Sequence, residues 1–300
     1  MSVVAFSSEV KSFGVGASLD PSLYEIKDED KDFLRAAISP DDEELRRRIF
    51  EIQEKAYEVY KYGCIRHFFF IALRMKRLPI YQEILERGKK GDAILLDIGC
   101  MMGADVRNLA YEGYPATRIV GSDLFETYLT LGHELFRDKD TCKIKFVAAN
   151  ALDLPATLAP LSSSPRITDL ENASITKLDD LANSVTFIYL GSVFHLFEEE
   201  EQKGLAMILL RLWTRERGAI IFGSHQGLAV EGSLAEASGS PEWKAHGHTP
   251  ASWKKMWREA SEAFAGEGAG DSIDVTAALE DHSLSQGTGM QTLVWSVRWV

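Results

Sequence analysis

From about Gly91 to Val300 the chain is predicted to form a doubly wound α/β sheet. Three observations predict it. Short apolar runs alternate with helical patterns over this stretch, as strands and crossover helices do. The first run leads into a glycine turn, Gly99 to Gly103, at the sheet edge where such folds hold ligands. The composition is globular, at 45% hydrophobic and 26% charged over 300 residues, which excludes wholesale disorder.

Residues 1–24 are Ser/Gly-rich and aperiodic, and read as a flexible arm. Helical signals begin near Asp28. Ser39 can cap a helix, Pro40 suits its first position, and Asp41 and Asp42 favour the positive end of its dipole. That helix is expected to stop at Gly63, with two more over 65–77 and 79–87 ending at Gly88. Residues 25–90 therefore read as a helical N-terminal cover, ahead of a domain over 91–300.

The texture changes at Gly91. Residues 93–98 are a largely apolar run, as for a buried parallel strand. A helix over 103–112 closes at Gly113. Strands are expected at 118–122, 143–148, 185–190 and 218–223, with helices at 124–136 and 198–213 between them. Residues 156–182 read as a surface insertion with a helix at 175–181, and 226–248 as a Gly/Ser-rich loop. A helix at 250–264 and strands at 272–279 and 292–300 complete the chain.

Charge narrows the function. Lys and Arg number 33 against 45 Asp and Glu, a net charge of −12. Such a chain has no general attraction for nucleic acid or an anionic membrane. The cysteines, Cys64, Cys100 and Cys142, are odd in number and widely spaced. Neither a disulfide framework nor a structural zinc site is expected, and the protein reads as reduced and cytoplasmic. No basic-then-apolar leader precedes Asp20, and the longest apolar run, at 68–73, is too short to cross a bilayer. The oligomeric state stays open.

The glycine turn carries the chemistry. Asp97 precedes it, Asp105 follows it, and Met101 stands where a dinucleotide pattern needs its second glycine. Two carboxylates there repel a pyrophosphate, which disfavours NAD, but suit an ammonium group such as the methionine end of S-adenosylmethionine. Gly99, Cys100 and Gly103 let that end approach the backbone. Asp123 ends the second strand, where an acid can accept both ribose hydroxyls or cap the next helix. Leu124 follows it. Asn150 and Ala151 end the third strand, where an adenine amino group can be read.

On these residues the chain resembles the class I S-adenosylmethionine-dependent methyltransferases. The resemblance implies a Rossmann-like sheet of seven strands, the last antiparallel. Segments around Tyr62-Gly63-Cys64-Ile65-Arg66, Pro79-Ile80-Tyr81, Gly132-His133-Glu134 and His248-Thr249-Pro250 narrow it to fungal methyltransferases of secondary metabolism, of the meroterpenoid type. That group includes enzymes that methylate a carboxylic acid. The resemblance implies methyl transfer to an oxygen, expected to be a carboxylate, of a small-molecule acceptor. A phenol, carbon or nitrogen acceptor, or a non-catalytic regulator of the same fold, are the alternatives. Where the subfamily often has Pro before Cys64, this chain has Gly63.

Acceptor residues are sought at the carboxyl edge and on the cover. His195 and His225 follow strands four and five and can orient or deprotonate an acceptor, or simply pack. Tyr62, Arg66 and Tyr81 lie on the cover. Arg66 has the fork that matches a carboxylate, with a surface ion pair as its plainer role. Trp253 can wall an apolar pocket, or belong to the core.

Overall fold

The computed structural model describes residues 17–153, 166–238, 243–281 and 290–300. Residues 1–16 of the expected arm and 156–165 of the expected insertion lie outside the described residues. The described end of the arm is packed. Leu19, Leu23 and Tyr24 rest on the core of the N-terminal helices.

Helices α1 (Asp28–Ala37) and α2 (Asp42–Val59) open the chain. Asp41, not Ser39, caps α2, its side chain accepting the Glu44 N–H at 2.8 Å. An acid at the N-cap also meets the positive helix end, which a serine cannot do. The expected helix over 65–77 is broken up. Only α3 (Gly63–Arg66) and two 3-10 turns form, because Phe68 takes a left-handed φ of 58°. Helix α4 (Tyr81–Gly88) follows.

The sheet begins at β1 (Leu95–Ile98) and continues through α5 (Ala104–Tyr111), β2 (Ile119–Asp123), α6 (Glu126–Phe136), β3 (Lys145–Ala148) and β4 (Phe187–Gly191). Then come α7 (Glu199–Leu212), β5 (Ile220–Leu228), a two-stranded ladder of β6 (Gly232–Ser233) and β7 (His246–Gly247), and the short α8 (Leu234–Ser238). Helix α9 (Pro250–Ala265), β8 (Ile273–Glu280) and β9 (Met290–Trp299) close the chain. The strand order is β3-β2-β1-β4-β5-β9-β8. The first five strands in that order are parallel, and β9 is antiparallel to both β5 and β8. At 175–181 only a 3-10 turn forms, over Leu178–Leu181.

Both faces of the sheet are covered. Leu96, Ile98, Ile188 and Leu190 face one core with α7 and α9; Leu95, Phe187 and Tyr189 face the other with α4 and α5. The N-terminal helices share a third core with α6. Buried Arg48 on α2 donates to the Glu134 and Leu135 carbonyls at the end of α6, satisfying acceptors that a helix end leaves free. Arg298 on β9 grips Glu83 of α4 with two bonds, at 2.6 and 2.7 Å. The carboxyl ends of β1, β2, β3 and β4 thus open beneath residues 60–77. No helix among the described residues is long and apolar enough to cross a membrane.

Candidate active site

A cavity of about 290 Å³ lies at those carboxyl ends. Asp97, Gly99, Cys100, Asp123, Leu124, Asn150, Ala151, His195 and Tyr62 all line it. Gly103 ends the turn with a φ of 68°, and Gly99 has one of 78°. Met101 also takes a left-handed φ, of 50°, without being glycine. Its N–H donates to Asp123 Oδ2 at 2.9 Å, which holds the turn in this costly conformation. Asp123 Oδ1 accepts the Phe125 N–H at 3.1 Å, so each oxygen keeps a lone pair for another donor. Asn150 is spent locally: its amide donates to Asp153 and accepts the Leu152 N–H, each at 3.0 Å.

The acids here are held away from their usual range. Burial, and then Asp105 and Asp123, push the Asp97 carboxyl well up. Burial raises Asp105 to about 7 against the Met75 N–H that it accepts at 2.8 Å, and raises Asp123 to about 6 against its backbone donors. Asp97 is 2% exposed, and its carboxyl has no hydrogen-bond partner among the described residues. A buried carboxylate facing a cavity without a donor suits a ligand that brings one.

Four expected residues are elsewhere. Arg66 donates to the Ser18 carbonyl at 2.8 Å and faces Asp20. Tyr81 is buried under α5, donating to Glu112 and accepting from Asn108. Trp253 is fully buried among Phe194, Trp257 and Trp295. His225 sits in the same cluster, its Nδ1 accepting the Trp295 indole N–H at 2.9 Å. None of the four lines the cavity, and neither does Gly103, whose Cα face is closed off by Arg107 and Phe146.

Sequence reading missed Arg74, the one Lys or Arg among the cavity-lining residues. It donates to Ser192 Oγ and lies over the Phe69 ring, 5.7 Å from its centroid. Nothing in Leu73-Arg74-Met75-Lys76-Arg77 sets Arg74 apart from its neighbours. Ser192 was findable, since it follows β4 directly at the carboxyl edge; its left-handed φ of 60° is visible only in the structure. His195 Nδ1 accepts the Gln226 N–H at 3.4 Å. A backbone N–H only donates, so the ring proton sits on Nε2. Burial, helped by Arg74, lowers this histidine to about 3.

Residues 19–71 match the family model of the meroterpenoid methyltransferase N-terminal domain. The O-methyltransferase phiE, from a fungal species, is 32% identical over 212 residues, 70% of this chain and 63% of its own length. Methyltransferase ausD of Penicillium brasilianum is 31% identical over 70% of this chain and 67% of its own. Methyltransferase trt5 of Aspergillus terreus is 30% identical over 72% and 70%. The chain belongs to the S-adenosylmethionine-dependent methyltransferases of fungal secondary metabolism. A solved phosphoethanolamine N-methyltransferase of Haemonchus contortus is 10% identical over 78% of this chain and 56% of that one, with a TM-score of 0.46. That likeness is too loose to decide anything further.

The cavity of this family member fits the cofactor. Asp97 lacks a donor, which an ammonium group would supply, and Asp123 has a lone pair left on each oxygen that could accept a ribose hydroxyl. Both contacts favour ionised acids, whereas burial favours protonated ones. Asp123, raised to about 6, is protonated in the free protein below that pH and must lose its proton on binding. Affinity for S-adenosylhomocysteine is therefore expected to weaken as pH falls from 8 to 5. The loss should approach about tenfold per unit for each proton released. Calorimetry across this range checks it, and a flat profile would refute the assignment.

Proposed function

We propose that this enzyme transfers a methyl group from S-adenosylmethionine to a carboxylate oxygen of a small, largely apolar secondary-metabolite intermediate. The observation that carries this reading is a cluster of donors built around Arg74, the one Lys or Arg among the described residues that line the cavity. Arg74 offers its fork, Ser192 a hydroxyl whose oxygen already accepts from Arg74, and His195 the proton on Nε2. The His195 Nδ1 lone pair is taken by the Gln226 N–H, and His67, the other histidine lining the cavity, donates from Nδ1 to the Gly63 carbonyl with Nε2 3.5 Å from the Arg66 guanidinium. Phe69, Phe70, Leu196, Phe197 and Trp243 make the rest of the wall apolar.

When bound, the cofactor supplies an electrophilic methyl on a sulfonium. Asp97 and Asp123 fix its two ends, while Arg74, Ser192 and His195 hold the acceptor carboxylate in line with the methyl. The cofactor would supply the methyl carbon and the sulfide leaving group, which would keep the electron pair of the carbon–sulfur bond. A carboxylic acid of ordinary pKa, about 4, arrives ionised, so no proton has to be removed. Catalysis then rests on alignment and on excluding water. Tyr62, Cys64, His67, Phe69, Phe70 and Arg74 all come from the segment 25–90, so this cover completes the site.

The test is transfer against pH with the identified acceptor, for wild type and His195→Gln. At saturating cofactor the variant should keep its rate to within about tenfold, because glutamine still offers a donor, and the two profiles should share one shape, since any bend set by Asp123 near about 6 is common to both. A loss of about 10²–10⁴-fold in a folded variant that still binds cofactor, with a carboxylate acceptor, would overturn this reading.

A further inference from the structure

Glu231, His246 and His248 lie outside the cavity, and each presents a ligand atom within 4.8 Å of the other two. Glu231 stands just before β6, His246 in β7, and His248 just before Thr249, the cap of α9. Glu231 Oε1 is 3.2 Å from His246 Nε2 and 3.5 Å from His248 Nδ1. Tetrahedral zinc with bonds of about 2.0–2.1 Å keeps its ligand atoms about 3.3–3.4 Å apart. The two separations are thus edges of such a tetrahedron, and 3.5 Å is long for a hydrogen bond.

The second imidazole sharpens the argument. His248 is 1% exposed and its Nε2 has no hydrogen-bond partner. Its ring meets Trp253 at 61°, with centroids 5.3 Å apart. A bare Nε2 lone pair among indoles is costly, whereas an Nε2–H can rest against a π face. That tautomer leaves the Nδ1 lone pair facing a carboxylate oxygen. Ser252 Oγ lies 3.0 Å from Nδ1, but it also accepts the Thr249 N–H at 3.0 Å and lies 3.3 Å from the Thr249 carbonyl. A cation between imidazole and carboxylate resolves the contact.

We propose that Glu231, His246 and His248 form a zinc site, with water or the Ser252 hydroxyl as fourth ligand. Two imidazoles and a carboxylate are a usual zinc donor set, and no cysteine pattern announces them. The site is structural. Strands β6 and β7 have two residues each, too few to hold a ladder alone. Zinc would tie both to the start of α9. Trp243, three residues before His246, lines the acceptor wall and donates its indole N–H to the His195 carbonyl at 3.1 Å. Zinc would therefore steady that wall without entering methyl transfer.

The whole chain, stripped with a chelator and dialysed, is titrated with Zn²⁺ alone by calorimetry and with Co²⁺ by visible absorption. One ion per chain, strong tetrahedral cobalt bands and a raised thermal midpoint are expected. His246→Ala, in chelator, should melt within a few degrees of wild type yet bind zinc about 10²-fold more weakly, and Glu231→Gln should bind about 10–10²-fold more weakly. No binding by wild type overturns the site. So does binding unchanged in both variants, which would move the ion to the acids of the cavity.

Discussion

Asp123→Ala is expected to cost more than any other single change at the cofactor end. A charge-assisted contact to the ribose is worth about 1.5–3 kcal/mol, so affinity for S-adenosylhomocysteine should fall roughly 10- to 150-fold. The same carboxylate also accepts the Met101 and Phe125 N–H groups. Without it these donors lose their partner, at about 1–3 kcal/mol each where water cannot reach them. Met101 suffers most, because its left-handed φ of 50° is held by that bond. The variant should therefore melt several degrees lower as well as bind poorly. Calorimetry and thermal unfolding measure the two effects separately. Unchanged affinity in a folded variant would remove Asp123 from the ribose site.

Arg74→Met is expected to dominate at the acceptor end. It removes the only Lys or Arg among the described residues lining a cavity that also holds Asp97, Asp105 and Asp123. An incoming carboxylate would then meet three acids and no cation. A lost charge-assisted hydrogen bond corresponds to about 10- to 150-fold in kcat/KM for the acceptor. Most of it should appear as a higher acceptor KM, with cofactor affinity changing less than about threefold. Arg74→Lys should recover part of the loss, since it keeps the charge but not the fork. The opposite split would sink the assignment: weaker cofactor binding with an unchanged acceptor KM places Arg74 on the cofactor's own carboxylate.

Much of the cofactor end was legible in the sequence because it is built locally. Asp97, Gly99, Cys100 and Asp123 are fixed by where two strands end and by one tight turn, and all four line the cavity. The acceptor end was harder. Arg66 was the arginine expected to meet a carboxylate, yet Arg74 lines the cavity, eight residues further on. A helix over 65–77 was expected. The left-handed Phe68 breaks it and turns Arg74 toward Ser192. His195 and His225 looked equivalent at the ends of neighbouring strands. One lines the cavity, and the other is enclosed by Trp253 and Trp295.

By itself the sequence determined the alternation of strands and helices, the glycine turn, and the acids beside it, since each follows from periodicity or from neighbours in the chain. Only the tertiary structure decided which arginine faces the cavity, which histidine nitrogen carries the proton, and that α2 clamps α6. Those outcomes depend on contacts between residues 31 to 118 positions apart: Arg74 with Ser192, His195 with Gln226, and Arg48 with Glu134. Hydrophobic spacing encodes which face of an element is buried, but not which partner buries it. A polar side chain takes its role from the donors and acceptors that packing brings to it.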